Sequence, residues 1–119
     1  MAKNLTLSIK QEYFDQIKDG TKTFEEREIR PNNVERYCLV DDEGFVLENE
    51  KGEPVTRPYD TITFLTGAYK GTRPRIVVEV KDSNVIIMTD ENGNDIVYEH
   101  QGDEYTACII RYELGKVLS

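Results

Sequence analysis

"LTLSIKQEYFDQIKDGTKTFEEREIR", Leu5 to Arg30, sets the architecture expected of the chain. It opens by alternating Leu5, Leu7 and Ile9 with polar residues, the two-residue period of a half-buried strand. From Lys10 the period changes. Tyr13, Phe14 and Ile17 recur at helical spacing among charged side chains, which predicts a helix of about two to three turns. Gly20 stands where a left-handed residue ends such a helix, and Ser8 with Gln11 offers a capping box at its start. Beyond Gly20, "TKTFEEREI" loses the helical period and gains β-branched and aromatic residues, so it reads as extended. Thr23, Glu25 and Arg27 then share one face, with Phe24, Glu26 and Glu28 on the other. Phe24 and Ile29 are the residues expected to anchor this strand.

Further along, turn residues separate short β-rich runs. "RYCLVDDEGFVLEN" reads as a hairpin around Asp42, Glu43 and Gly44, and "NEKGEPVTRP" as a second turn. "YDTITFLTG" and "RIVVEV" read as strands, "NVIIM" and "DIVYEH" as strands flanking the turn "TDENGN", and "YTACIIRYELGKVL" as a closing strand that ends at Gly115. One helix and about six to eight strands predict an α+β fold, a small β-barrel with a short N-terminal helix. The 119 residues suit a single domain, 1–119, with a hairpin elaboration at about 31–58.

Composition narrows the partners. A net charge of −8 opposes global attraction to phosphates, yet the acids are segregated. Asp41 to Glu53 carries six acids against Lys51, and Asp90 to Glu104 carries six with no Lys or Arg. Pro54 to Lys81, by contrast, carries five basic residues against Asp60 and Glu79. A basic surface centred on "AYKGTRPR", with Tyr69, Lys70, Arg73 and Arg75, therefore stands as a candidate contact for nucleic acid, against an ordinary exposed turn. No run is long enough to cross a bilayer, and "MAKNLTLSIK" lacks the apolar stretch of a signal peptide, so a cytoplasmic location without a membrane partner is expected. Cys38 and Cys108 are expected to be reduced, and no cofactor or metal is expected. "TDENGND" has some composition of a calcium loop, but its glycine is misplaced and no closing glutamate follows, so the turn reading is preferred. His100, alone in an acidic segment, reads as solvated.

"GTKTFEER" carries the sharpest candidate site. Lys22 supplies a mobile point charge, Arg27 a planar fork for phosphate or carboxylate, and Glu25 an acceptor that orients Arg27 or reads an NH donor on a base. The competing reading is an ion-pair ladder on a surface strand, worth little energetically. Spacing alone leaves both open.

The whole stretch Leu5 to Arg30 resembles the ASCH domain family of the PUA-like superfamily, whose pattern is a strand, a short helix with a Tyr-Phe pair, then GxKxxExR. Here the motif is Gly20, Lys22, Glu25 and Arg27. The resemblance implies a PUA-like barrel with a motif-lined cleft beside the helix, and a role in binding RNA, other nucleic acid or nucleotide. One branch of the family hydrolyses the acyl group of N4-acetylcytidine with the motif lysine, a threonine three residues later and a downstream glutamate in a helical segment. This chain has Glu25 at the threonine position, which removes that nucleophile, and Thr23 replaces it only if it turns into the cleft with a base in reach. Binding is therefore favoured over catalysis, in which Lys22 and Glu25 would be the reacting groups. A third reading makes the acidic segments a contact for a basic protein.

Overall fold

The change of period at Lys10 is realised in the computed structural model, which describes residues 3–67 and 73–118. Strand β1 (Asn4–Ser8) gives way to helix α1 (Gln11–Asp19). Then come β2 (Phe24–Ile29), α2 (Val34–Tyr37), β3 (Thr61–Leu65), β4 (Arg75–Ile87), β5 (Val97–His100), β6 (Asp103–Thr106) and β7 (Cys108–Val117). The fold is mostly β with few helices, and its main sheet curls as a half-barrel, as expected of a small barrel-like α+β fold. No described helix is long and apolar enough to cross a membrane.

The chain divides into two compact units. Unit 1 comprises Met1–Glu25, Pro58–Asp82 and Tyr112–Ser119, and unit 2 comprises Glu26–Arg57 and Ser83–Arg111.

Every strand of the main sheet, in the order β1-β3-β4-β7-β2, contributes to unit 1. β1 runs parallel to β3, from Asn4 opposite Thr61 to Ser8 opposite Leu65, and β3 runs antiparallel to β4, Thr61 facing Glu79. The alternation read in the sequence for Leu5 and Leu7 and for Ile62 and Phe64 is the burial pattern observed, and Ile76 and Val78, and Tyr112 and Leu114, are buried at alternate positions as well. Phe14 and Ile17 bury the apolar side of α1. Each such side chain stabilises the fold by about 1.5–3 kcal/mol relative to exposure.

Gly20 ends α1 in the left-handed conformation, φ 86°. There the carbonyl of Gln16 accepts the backbone N–H groups of Thr21 and Lys22 at 2.9 and 3.0 Å. Asp19 Oδ1 accepts both the N–H and the hydroxyl of Thr21, at 2.9 and 2.7 Å, and these bonds hold its carboxyl below the ordinary value. The expected capping box is not the start of α1: Lys10 occupies the N-cap, without a side-chain bond.

Unit 2 is built from local turns. Bridges Cys38–Thr56, Val40–Val46 and Glu48–Pro54 make a small meander of the predicted hairpins. Asp41 and Asn49 pin its turns, their Oδ1 atoms accepting the N–H groups of Phe45 and Glu53 at 3.0 Å. "TDENGN" is a turn as expected, Asp90 Oδ1 accepting the N–H groups of Asn92 and Asn94.

Several boundaries differ from the sequence reading. α2 adds a single unexpected turn. "RIVVEV" and "NVIIM" join into the thirteen-residue β4. The expected closing strand breaks at Ala107 into β6 and β7, and β6 folds back on β5 through Gln101 and Gly102, both at positive φ (51° and 86°), the backbone of a tight hairpin turn. β7 also continues through Gly115 to Val117. A side chain at Gly115 would collide with that of Glu79.

Candidate functional site

Strand β2 buries a charge where an aromatic residue was expected. Glu25 is only 5% exposed and Phe24 is 36% exposed, so the face of Glu25, Arg27 and Ile29 turns inward. The reason is charge balance. The Phe24 face would take in Glu26 and Glu28 with no cation, whereas the Glu25 face carries Arg27 and the apolar Ile29.

Within unit 1, Lys22 Nζ lies 3.4 Å from Glu25 Oε1. The lysine side chain keeps 24% of its surface exposed, and its ammonium sits 5.4 Å from the centre of the Tyr13 ring. That is within cation–π range. Lys22 is thus held on one side by a buried carboxylate and on another by an aromatic face, instead of sweeping through solvent. Helical spacing groups Tyr13 with Phe14 and Ile17, yet Tyr13 is 39% exposed where they are buried. The signal against that grouping is that Tyr13 and Phe14 are adjacent, about 100° apart on the helix, so the two cannot share one inward direction.

Beside this pair is a recess of about 240 Å3, lined by Ile17, Gly20, Lys22, Thr23, Leu114 and Gly115 among others. Leu114 N–H donates to the Thr23 carbonyl at 2.8 Å, tying the segment after the helix to β7. The bare backbone of Gly115 is part of the wall. A drug-sized ligand pocket spans about 300–1,000 Å3, so this recess suits a phosphate, a small polar group or one ring.

The remaining predicted site residues are more scattered. Arg27, half-buried, belongs to unit 2 and is the next side chain on the face of β2 that carries Glu25. Arg73, half-buried in unit 1, donates from Nη2 to Ser8 Oγ at 3.3 Å. Arg75 opens β4 as an exposed residue. Tyr69 and Lys70 lie outside the described residues. His100 is not fully solvated: it is half-buried and meets the Tyr105 ring edge-on, centroids 6.1 Å apart. Cys38 and Cys108 are free thiols. Burial raises the pKa of both, and for Cys38 the charge of Cys108 adds to the effect. Among the described residues no three His, Cys, Asp or Glu side chains are grouped to hold a metal ion.

Charge divides sharply between the units. Unit 1 has nine Lys and Arg against eight Asp and Glu, net +1, and unit 2 has six against fifteen, net −9. The recess lies in the unit that does not repel anions.

A barrel-like sheet, a helix ended by glycine, and a lysine–glutamate pair beside a recess define a small α+β architecture. The family model for the ASCH domain matches residues 7–109, most of the chain, and the chain belongs to that family. No curated protein and no solved structure matches it.

Proposed function

We propose that this chain is a single PUA-like domain, cytoplasmic, that binds RNA or a nucleotide at the recess beside Lys22. The observation that carries the reading is Glu25, a carboxylate held almost out of solvent and paired to a lysine that stays partly exposed. An ion pair in this position is weak support for stability, which favours a binding role for it. Lys22 engages a phosphate or other acidic group, Glu25 fixes Lys22 and accepts from an NH donor, and Gly20 shapes the approach. Arg73 and Arg75 widen the contact.

The test is titration of labelled single-stranded RNA and of nucleoside monophosphates at low salt. Binding should weaken as salt rises, and by about tenfold in Lys22→Met combined with Arg75→Ala. Absence of binding, or binding indifferent to both substitutions in a folded variant, overturns the reading.

A second reading, a hydrolase acting on a modified nucleoside, draws on one observation: Thr23 lines the same recess as Lys22. It requires Thr23 Oγ to attack the acyl carbon while a neighbouring base takes its proton, the acyl C–N bond to break with that proton passing to the leaving cytidine amine, and water then to hydrolyse the acyl-threonine ester. Incubation with N4-acetylcytidine separates the two. Under the binding reading no cytidine is released.

A further inference from the structure

Unit 2 carries a groove of its own. It measures about 350 Å3, and its walls include Ile29, Val34, Phe45, Val46, Tyr98 and Tyr105. The aromatic side is built by the β5–β6 hairpin, whose register sets Tyr98 directly opposite Tyr105. Their rings stack 5.8 Å apart at 23°. Arg30 covers the Tyr98 ring at 4.4 Å and is itself ion-paired with Glu28, so the one cation that lines the groove among the described residues is already engaged from two sides. Across from this stack Phe45 leaves 66% of its surface in solvent at the tip of a turn pinned by Asp41. An exposed phenylalanine on a built turn, beside a tyrosine stack, is an unpartnered contact surface.

The charge around the groove decides what fits it. Asp42 and Glu43 occupy the turn that presents Phe45, Asp103 and Glu104 immediately precede Tyr105, and the unit as a whole is net −9. Glu99 and Glu104 even stand directly opposite one another across the hairpin, a pairing that costs stability unless a cation screens it. RNA and anionic lipid are repelled by such a surface, and so is a second copy of the same unit. We infer that this groove docks a basic protein segment, one in which Lys and Arg flank an aromatic or branched apolar anchor. The anchor fills the space between Phe45 and the tyrosine stack, and the flanking cations meet Asp42, Glu43, Asp103 and Glu104. This surface shares no lining residue with the recess beside Lys22 and stands or falls independently of it.

The experiment uses a short fluorescein-labelled peptide in which Arg and Lys flank a Leu-Phe pair. One control replaces the Leu-Phe pair by serines, a second replaces the basic residues by Glu, and labelled single-stranded RNA is a third probe. The first peptide should bind, about tenfold more tightly than the serine control, and the acidic peptide should not bind. Phe45→Ala and, separately, Asp42→Lys with Glu43→Lys should each weaken it about tenfold, the charge reversal losing its effect at high salt. Both sites are exposed, and unchanged circular dichroism and melting verify that the fold is kept. Occupancy should also slow alkylation of Cys108, which lines the groove. The inference is overturned if the peptide fails to bind, if the serine control binds equally, or if Phe45→Ala has no effect. It is overturned as well by RNA protecting Cys108 to the same extent, or by sedimentation showing a self-association that Phe45→Ala abolishes.

Discussion

Units 1 and 2 are of nearly equal length, 58 and 61 residues, but they use their apolar side chains in opposite ways. Among the described residues, ten of the fourteen buried core side chains belong to unit 1, while eight of the twelve large exposed hydrophobic ones belong to unit 2. Charge follows the same division, with +1 in the first and −9 in the second. Unit 1 therefore has the burial that holds a fold rigid and a neutral background on which one lysine can attract an anion. Unit 2 is held by turns and short ladders, and what it leaves exposed is suited to being covered. The contrast teaches that the chain's overall acidity says little about either surface taken alone.

The contrast should show most strongly in stability. Phe64 is fully buried in unit 1, so Phe64→Ala is expected to cost about 3–5 kcal/mol in urea unfolding. Phe45→Ala in unit 2 should stay within about 0.5 kcal/mol. Equal costs for the two phenylalanines would break the comparison. Next is Glu25→Ala. Breaking a fully buried pair costs about 3–5 kcal/mol, and the partial exposure of Lys22 lowers the expectation to about 2 kcal/mol. A cost near zero would mean the pair is an ordinary surface contact. Gly20→Ala places a Cβ at φ 86° and should cost about 1 kcal/mol, although nothing lies within 4 Å to clash with it.

The smallest effect is in unit 2. The raised pKa of Cys38 means that the folded protein keeps a proton that the unfolded chain releases. The contribution is complete below the unfolded thiol value, about 8.5, and declines as pH rises above it toward the raised folded value. Urea midpoints followed through alkaline pH should fall more steeply for the parent chain than for Cys38→Ala.

Much of unit 1 can be read directly from residue order. Leu5, Leu7, Ile62 and Phe64 announce their strands by period, and Gly20 marks the end of α1, because period and left-handed glycine are local facts. The inward face of β2 is not local. Alternation separates Phe24 from Glu25 but does not choose between them, and charge balance on the Glu25 face outweighs one aromatic ring. The β5–β6 hairpin escaped for another reason: Gln101 takes a positive φ without being Asn, Asp or Gly, so its turn lacks the usual signal. With that turn unread, the opposition of Tyr98 and Tyr105, and hence the groove, stayed hidden. The Gly20, Lys22, Glu25 and Arg27 motif was visible, whereas Tyr13 over Lys22 depends on how α1 rotates against its core.

The parallel pairing of β1 with β3 joins positions 57 residues apart, Asn4 and Thr61, and unit 1 also needs Tyr112 and Leu114 from β7. During synthesis, the meander and its turns can form within microseconds of leaving the ribosome, because their contacts are local. The core of unit 1 has to wait until β7 has been made. From the synthesis of Phe64 until that of Tyr112, then, the nascent chain holds Leu5, Leu7, Ile62 and Phe64 without their final cover. This is a reason to expect that a ribosome stalled before Tyr112 would display a chaperone substrate, not a folded protein.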